Sequence, residues 1–204
     1  MDTRSLIQMP GYRYNEYLLV LSPHEELWNK IKKVKEEFSE KYKSAQARWG
    51  KPHIALVNFV QFEMMEERIV NRLKTIAMGY TPFKVELKDF GSFPSHTIYI
   101  NIDTKQQVQN IIKAIKPAQQ LLTLNKENKP HFMDDPHLTV ARKLLPWQYE
   151  QGWQEYSQRH FTGRFIADNM LLIKRRVGDT TYQVVQRFDF MNLPVSTKQG
   201  ELFM

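Results

Sequence analysis

Two short segments of the chain each place a histidine directly after a proline and before a strand-like run. They read "PHIALV", which contains His53, and "PHLTVA", which contains His137. The unperturbed pKa of histidine is about 6.5, so at neutral pH one imidazole can accept a proton while another donates one. Cleavage of a phosphodiester needs both transfers, because the nucleophile must be activated and the leaving oxygen must be protonated. The pair therefore predicts the base and the acid of a phosphodiesterase.

The residue two positions after each histidine shares its face of the strand, because side chains alternate along a β-strand. Thr139 stands at this position in the second segment, where its hydroxyl can donate a hydrogen bond to a phosphate oxygen without a metal ion. Ala55 stands at the same position in the first segment and has no hydroxyl. The first segment therefore lacks one hydrogen-bond donor that this chemistry uses.

Several polar side chains are candidates to replace the donor that Ala55 does not supply. They are Lys51, Asn58, Tyr12, His96 and Arg142. We expect Arg142 and Lys51 to bind phosphate together with Thr139. Tyr12 and His96 are further candidates as helpers, although a lone histidine such as His96 is more often structural. Because two imidazoles are sufficient for the proton transfers, the expected site has no metal ion and needs no cofactor.

The elements that must position the two histidines recur in the same order in two halves of the chain. Each half is predicted to contain a strand, a helix and then the strand that begins with the histidine. From Leu18 to His53 is 35 residues, and from Ile98 to His137 is 39 residues. The predicted elements are strand 16–22, a helix opening at 22, strand 53–61, helix 64–79, strand 83–93, strand 96–103, helix 104–122, strand 137–144, helix 146–160 and a hairpin of 165–176 with 181–193.

The first helix carries the clearest local signals. Ser22, Pro23 and Glu25 have the spacing of a capping box with proline at the first helical position. An apolar stripe at helical spacing follows, formed by Leu27, Ile31, Val34 and Phe38. We therefore expect this helix to pack one face against a core.

The matched halves predict an α+β fold in one domain with two pseudo-symmetric lobes of antiparallel sheet, outer helices and a central cleft. Duplicated strand-helix-strand units would face this cleft and bring the two histidine strands together. The first histidine repeat is expected at 15–95, the second at 96–193 and a tail at 194–204.

Composition sets limits on the function. The 204 residues are 42% hydrophobic and 25% charged, which is typical of a globular chain. A net charge of +7 and a pI near 9.5 favour an anionic partner such as RNA, although a solubilising surface charge explains them equally well. The chain has no cysteine and no long apolar segment, so we expect a cytoplasmic protein that does not bind a membrane. We also expect it to be a monomer.

The duplicated histidine strands resemble the two-histidine (2H) phosphoesterase superfamily, which includes LigT-like 2′,5′ RNA ligases and cyclic phosphodiesterases. The resemblance covers about residues 15–193, is complete at "PHLTVA" and departs at Ala55, where the family has Thr or Ser. It implies a metal-independent phosphoesterase that acts on RNA or nucleotides with a 2′,3′-cyclic phosphate or a 2′,5′ linkage. It also implies His137 as base and His53 as acid, although the near symmetry permits the reverse.

Two other interpretations remain open at this point. With Ala55 in place of a hydroxyl, the chain could be a catalytically weak RNA- or nucleotide-binding module of the same fold. Alternatively, His131, Asp134 and Asp135 could hold a metal ion for a metal-dependent phosphodiesterase. Basic and aromatic side chains that could contact RNA, or simply form a solvated face and a core, are Arg142, Lys143, Arg164, 174–176, Trp49, Tyr12, Tyr14 and Trp147.

Overall fold

A computed structural model of the chain describes residues 12–194, so the predicted tail from 195 onwards lies outside the described residues. The strands are β1 (Tyr14–Leu21), β2 (Ile54–Phe62), β3 (Phe83–Phe93), β4 (Thr97–Ile102), β5 (His131–Phe132), β6 (Leu138–Arg142), β7 (Thr162–Ala167), β8 (Asn169–Arg176) and β9 (Gln183–Asp189). The helices are α1 (Glu25–Lys41), α2 (Ala45–Arg48), α3 (Glu66–Met78), α4 (Lys105–Ile115), α5 (Gln119–Leu122) and α6 (Pro146–Tyr156). Within this part of the chain, no helix is long and apolar enough to cross a membrane.

The strands form one antiparallel sheet in the order β7-β3-β4-β6-β2-β1-β8-β9, with β5 paired to β2. The predicted α+β class is confirmed. The two histidine segments open β6 and β2, which are neighbours at the centre of the sheet. Chain order and sheet order differ, since β3 pairs with β4 and β7 while β8 pairs with β1. Each half of the chain therefore contributes strands to both sides of the sheet.

The helices cover one face of the sheet, and this face holds the core. Ile54 and Leu138 point into it and are fully buried. A Cβ on Gly152 of α6 would lie 2.8 Å from the ring of Phe38 in α1 and 3.2 Å from Ile98 in β4, so the helices and the sheet meet closely here. Side chains that alternate with these core residues project from the opposite face.

Burial of the core residues fixes the position of the histidine strands. Each fully buried leucine or isoleucine contributes about 1.5–3 kcal/mol to folding. A slip of one residue in β2 or β6 would turn Ile54 or Leu138 out of the core and put a histidine in its place. The packing on one face of the sheet therefore determines which side chains the other face presents.

The predicted capping box at the start of the first helix is wrong. The backbone stays extended through His24, with φ −66° and ψ 163°, and α1 begins at Glu25. His24 is therefore the N-cap, and Ser22 lies too early in the chain to cap the first turn. Glu25 and Glu26 lie in that turn, where their charges interact favourably with the helix dipole.

Two predicted elements are interrupted. The helix expected at 104–122 is divided into α4, a 3₁₀ turn at Lys116–Ala118 and α5, because Pro117 has no N–H to donate and its ring clashes with the preceding turn. The strand expected at 165–176 is divided at Asp168 into β7 and β8. These two strands pair with β3 and β1, which belong to different sides of the sheet.

Candidate active site

The two histidine strands meet at a single pair of residues, Ile54 of β2 and Leu138 of β6. Because the pairing is antiparallel, the residue before one lies opposite the residue after the other. His53 is therefore opposite Thr139. Both side chains project from the face away from the core, and both are half-buried.

The same register puts Ala55 opposite His137 on that face. His53 thus lies opposite Thr139, and His137 lies opposite Ala55. Because the two motifs are related in this way, the centre of the sheet has local two-fold symmetry. His53 and His137 are diagonal neighbours, and such residues lie roughly 7–8 Å apart, with their Cβ atoms somewhat closer. Two imidazoles at this separation can contact one phosphate group from opposite sides, as the spacing in the sequence predicts.

Both imidazoles are oriented by the same backbone contact. His53 Nδ1 is 2.7 Å from the carbonyl oxygen of Lys51, and His137 Nδ1 is 2.8 Å from that of Asp135. A carbonyl only accepts, so Nδ1 is the donor in each contact and Nε2 is the free nitrogen of the neutral ring. The residue between each histidine and its acceptor is a proline, whose restricted φ stiffens the bend. Each Nε2 is therefore available for proton transfer.

The surroundings of His53 favour its neutral form. Burial is the largest cause and lowers its pKa below 6.5. The carbonyl of Lys51 acts in the opposite direction, while the positive charges of Lys35 and Arg142 lower the pKa further. At pH 7 the ring of His53 is therefore mainly neutral and able to accept a proton.

Burial also lowers the pKa of His137, but its charged neighbours differ. The carbonyl and the carboxylate of Asp135 both raise the pKa, and the ammonium of Lys105 lowers it. Lys105 donates to Asp135 Oδ1 at 2.6 Å, so these two charges largely neutralise each other. His137 thus has an anion beside it, whereas the charges that act on His53 are both positive.

Two aromatic rings form a wall against His137. The ring of Tyr99 lies 4.7 Å from the imidazole and that of Phe93 lies 5.0 Å away, measured between centroids. Tyr99 is opposite Thr139 in the pairing of β4 with β6, so it belongs to the same face. A Cβ on Gly91 would approach the Tyr99 ring to 2.5 Å, so glycine is required for the ring to lie there.

A β-bulge brings Arg142 to this face. Tyr99 pairs with Thr139 and Ile98 pairs with Ala141, so β6 has one extra residue between them. Arg142 is three residues after Thr139, so in a regular strand the two side chains would lie on opposite faces and Arg142 would point into the core. Instead Arg142 is exposed, and its positive charge adds to burial, the largest cause, in lowering the pKa of His53 and of Lys35. Its guanidinium therefore lies beside the histidine pair.

The remaining predicted residues differ in their distance from the pair. Lys51 is exposed and contributes its carbonyl to His53. His96 lies in the turn before β4, hydrogen-bonded to Thr97 and 6.5 Å from the ring of Phe93, at the margin of the aromatic wall.

Tyr12 is not brought to the histidines. Its ring packs against Phe62, 5.8 Å away, at the far end of β2. Phe62 is nine residues after His53, which corresponds to roughly 30 Å of extended strand. Asn58 is also remote from His53 along β2, where it pairs with His131.

The residues considered for a metal site do not converge. His131 is exposed in β5, opposite Asn58, and Asp135 is ion-paired with Lys105. Among residues 12–194, no three His, Asp or Glu side chains are arranged to hold a metal ion. The geometry does not support the metal-dependent interpretation.

The sequence did not reveal several residues of the site. Tyr99, Phe93 and Gly91 form the wall through strand pairing, which no local pattern predicts. Lys35 had a detectable signal, because it follows Val34 within the apolar stripe of the first helix and yet carries a charge.

Two surface hollows lie away from the histidines. One is lined by Glu37, Glu40, Lys41, Glu155, Tyr156 and Arg159, and the other by Glu86, Leu87, Lys88, Asp103, Thr162, Gly163 and Arg164. The first is a surface network of ion pairs. Neither contains a histidine, the side chain whose ordinary pKa lies closest to neutral pH, so the histidine face is the better candidate site.

The fold is similar to solved phosphoesterase structures. E. coli LigT complexed with 3′-AMP matches with a TM-score of 0.60 and 13% identity, over 87% of this chain and 98% of that chain. TT0787 of Thermus thermophilus matches with a TM-score of 0.55 and 15% identity, over 86% of this chain and 98% of that chain. At these identities the likeness establishes the fold. No curated protein sequence matches the chain significantly.

The sequence family is established by a separate comparison. The family model for the 2′-5′ RNA ligase superfamily matches residues 23–179, which include both histidine strands and most of the described chain. The resemblance that the two histidine motifs indicated is therefore confirmed, and the chain belongs to the 2′-5′ RNA ligase superfamily.

Proposed function

We propose that the protein is a metal-independent phosphoesterase that opens 2′,3′-cyclic phosphates or cleaves a related phosphodiester in RNA or a nucleotide. The observation that carries this proposal is the register of β2 and β6. In this register His53 lies opposite Thr139, and His137 lies opposite Ala55. In the proposed site, this register lets the free Nε2 atoms of both rings act on one phosphate group. E. coli LigT has been crystallised with 3′-AMP, NADP⁺ and ATP, which supports a nucleotide ligand here as well.

The reaction needs two proton transfers at one phosphorus. The neutral Nε2 of one histidine accepts a proton from water as the water oxygen bonds to phosphorus. The bond between phosphorus and one ribose oxygen breaks, and the protonated Nε2 of the other histidine donates its proton to that oxygen. A phosphomonoester and a free hydroxyl result, and the two rings have exchanged protonation states. Proton exchange with solvent then restores the starting state.

Negative charge on the phosphate increases in the transition state and needs donors. Thr139 supplies a hydroxyl beside His53, and Arg142 supplies a guanidinium on the same face. Ala55 offers no donor beside His137. One of two symmetric hydrogen bonds is therefore missing, and this favours slow turnover.

The same deficit supports a second candidate, a nucleotide- or RNA-binding module with little or no turnover. Such a module would keep the cationic and aromatic side chains that hold a ligand and would not need the missing donor. Trp49, which is 73% exposed four residues before His53, is available to either function as a surface on which a base can stack.

A substrate panel separates the two candidates. The panel contains 2′,3′-cyclic nucleotides, ADP-ribose cyclic phosphate and 2′,5′-linked oligonucleotides, each incubated with the protein and an excess of chelator. We expect at least one compound to be hydrolysed by the parent chain and not by a His53→Ala, His137→Ala double variant. His160→Ala is the matched control, because His160 is an exposed histidine that contacts Asp89 away from the pair.

The outcomes distinguish the candidates clearly. Chelator-resistant turnover that requires the histidines supports the phosphoesterase. Binding of a nucleotide without turnover, measured by calorimetry, supports the binding module. Hydrolysis that persists in the double variant would contradict the proposed mechanism.

A further inference from the structure

Lys35 is a buried lysine in the middle of α1. It is 7% exposed and lies on the side of the helix that also buries Ile31, Val34 and Phe38. Removing an ammonium group from water is unfavourable unless hydrogen bonds compensate for the lost hydration. A neutral apolar residue would fit the stripe better, so the charge at this position calls for a specific role.

The ammonium of Lys35 binds the turn that precedes His53. It donates to the carbonyl oxygen of Trp49 at 3.2 Å and to that of Gly50 at 3.0 Å. Gly50 has φ +82°, a left-handed conformation that favours glycine. The next residue is Lys51, whose carbonyl accepts the Nδ1–H of His53. A continuous set of contacts thus runs from the centre of α1 to the imidazole.

The charge of Lys35 is not neutralised by an acidic side chain within the described residues, since its hydrogen bonds are to carbonyl oxygens. Burial, with a smaller effect from the charge of Arg142, lowers the pKa of Lys35 to about 8. The groups that act on His53 are Lys35 from α1, Arg142 from β6 and the Lys51 carbonyl from its own turn. His137 is its diagonal neighbour on β6.

The second half of the chain uses a lysine differently. Lys105, at the start of α4, binds the carboxylate of Asp135, the residue whose carbonyl holds His137. This lysine is partly exposed and ion-paired, so its charge is compensated. Both turns are therefore supported by a lysine. Only in the turn before His53, of these two described turns, is the charge of that lysine not compensated by a carboxylate.

We propose that Lys35 is a positioning residue for His53: its ammonium fixes the Trp49–Gly50 turn, so that Nδ1 stays bonded to the Lys51 carbonyl and Nε2 faces the phosphate. Its charge also disfavours a proton on His53, which keeps that ring ready to accept one. The effect on turnover rests on the proposed phosphoesterase function. The effect on the imidazole does not, and it can be measured without a substrate.

The test compares Lys35→Met, which removes charge and donors, with Lys35→Gln, which keeps amide donors and removes the charge. In ¹⁵N NMR spectra of histidine-labelled protein, Lys35→Met should abolish the preference of His53 for a proton on Nδ1 and raise its pKa toward 6.5. Lys35→Gln should raise the pKa and retain the tautomer. Lys33→Met, which changes an exposed lysine of the same helix, should alter neither.

If the protein hydrolyses a substrate, Lys35→Met should lower kcat about 10- to 100-fold, the loss typical of a misplaced catalytic group. A folded Lys35→Met variant whose His53 keeps the parent tautomer and pKa would overturn the inference. Should that variant fail to fold, the parent protein supplies the measurement. Its His53 signals should shift between pH 7 and 9 as Lys35 loses its proton, and unchanged signals would overturn the inference. Failure of the proposed function alone would leave these NMR results intact.

Discussion

The turn before His53 and the turn before His137 orient their histidines by the same backbone contact and differ in their electrostatics. In each, a histidine donates Nδ1–H to the carbonyl two residues earlier, and a lysine from a helix holds the turn. The first turn is held through carbonyl oxygens and keeps a free positive charge. The second is held through a carboxylate, which compensates the charge. Repetition of a fold can therefore preserve the orientation of two side chains while the charges around them differ.

This difference suggests separate roles for the two histidines. Burial is the largest cause at both histidines and lowers the pKa of each. Beyond burial, the positive charges of Lys35 and Arg142 oppose a proton on His53, which suits a base, whereas the carboxylate of Asp135 favours a proton on His137, which suits an acid. The assignment is the reverse of the one that the family resemblance implies. Substitutions can test whether the comparison holds.

The largest expected effect is the loss of either histidine. His53→Ala and His137→Ala should each lower kcat about 10²- to 10⁴-fold on a 2′,3′-cyclic nucleotide, because each removes one proton transfer. A nucleotide ester with p-nitrophenolate as the leaving group needs little help from an acid. On that substrate His137→Ala should regain activity and His53→Ala should not. Recovery by His53→Ala instead would reverse the roles.

The next largest effect on kcat is expected at Ala55 and Thr139, each of which lies two positions after a histidine. Thr139→Ala should lower kcat about 10²- to 10³-fold, the usual cost of losing a donor to a developing negative charge. Ala55→Thr should raise kcat, because it supplies the hydroxyl that the first motif lacks. Both are measured by turnover of the same substrate, with Thr139→Ser as a control that retains the hydroxyl. An inactive parent that Ala55→Thr leaves inactive would favour the binding module.

A smaller effect is expected from a change of Arg142, whose guanidinium the β-bulge in β6 turns toward the face that carries His53. Arg142→Gln should weaken nucleotide binding about 10- to 100-fold, since a charged hydrogen bond to phosphate contributes about 1.5–3 kcal/mol. It should also reduce the slope of log affinity against log salt by about 1. Arg164→Gln, which changes an exposed arginine on β7, is the matched control. Equal losses in both variants would mean that only general surface charge is involved.

The pH dependence follows from the lowered pKa values of both histidines. Turnover needs one neutral and one protonated ring, and in the free protein both rings lose their protons below about pH 6.5. The value of kcat/KM should therefore fall about tenfold per pH unit above that pH. A bound phosphate anion favours both protonated rings, so the profile of kcat should be displaced to higher pH. A kcat/KM profile that rises from pH 6 to 9 would contradict the proposed roles.

The smallest expected effect tests the backbone of the two turns. Gly50→Ala should destabilise the protein by about 1–2 kcal/mol, because alanine at φ +82° is strained. Asp134 occupies the matching position, three residues before His137, and has no positive φ. Asp134→Ala should therefore change stability by no more than about 0.5 kcal/mol. Urea unfolding of both variants gives the comparison, and equal losses would argue against a special turn before His53.

The sequence predicted the elements and the two histidines because these depend on local patterns. Alternation along β2 and β6, with Ile54 and Leu138 as core residues, was sufficient to indicate which side chains share a face. Strand pairing was harder, since β3 and β8 join strands from the other half of the chain, and no short segment encodes that choice.

Which of the predicted polar residues lie near the histidines depends on tertiary structure. One extra residue in β6 turns Arg142 out of the core, and its position is visible only in the register with β4. Tyr12 was expected near the histidines, yet its ring packs on Phe62 at the far end of β2, where Phe62 pairs with Tyr14 of β1. Whether a polar residue lies near the histidines therefore depends on its distance from them along the strands, which its residue type does not indicate.

The most direct measurement is a titration of histidine-labelled protein with inorganic phosphate, followed by ¹⁵N NMR. If His53 and His137 bind one phosphate between them, the Nε2 signals of both should shift along one saturation curve, and both pKa values should rise. His160, exposed beside Asp89, serves as the internal reference and should not change. A shift of only one of the two histidines, or two different saturation curves, would contradict a shared site.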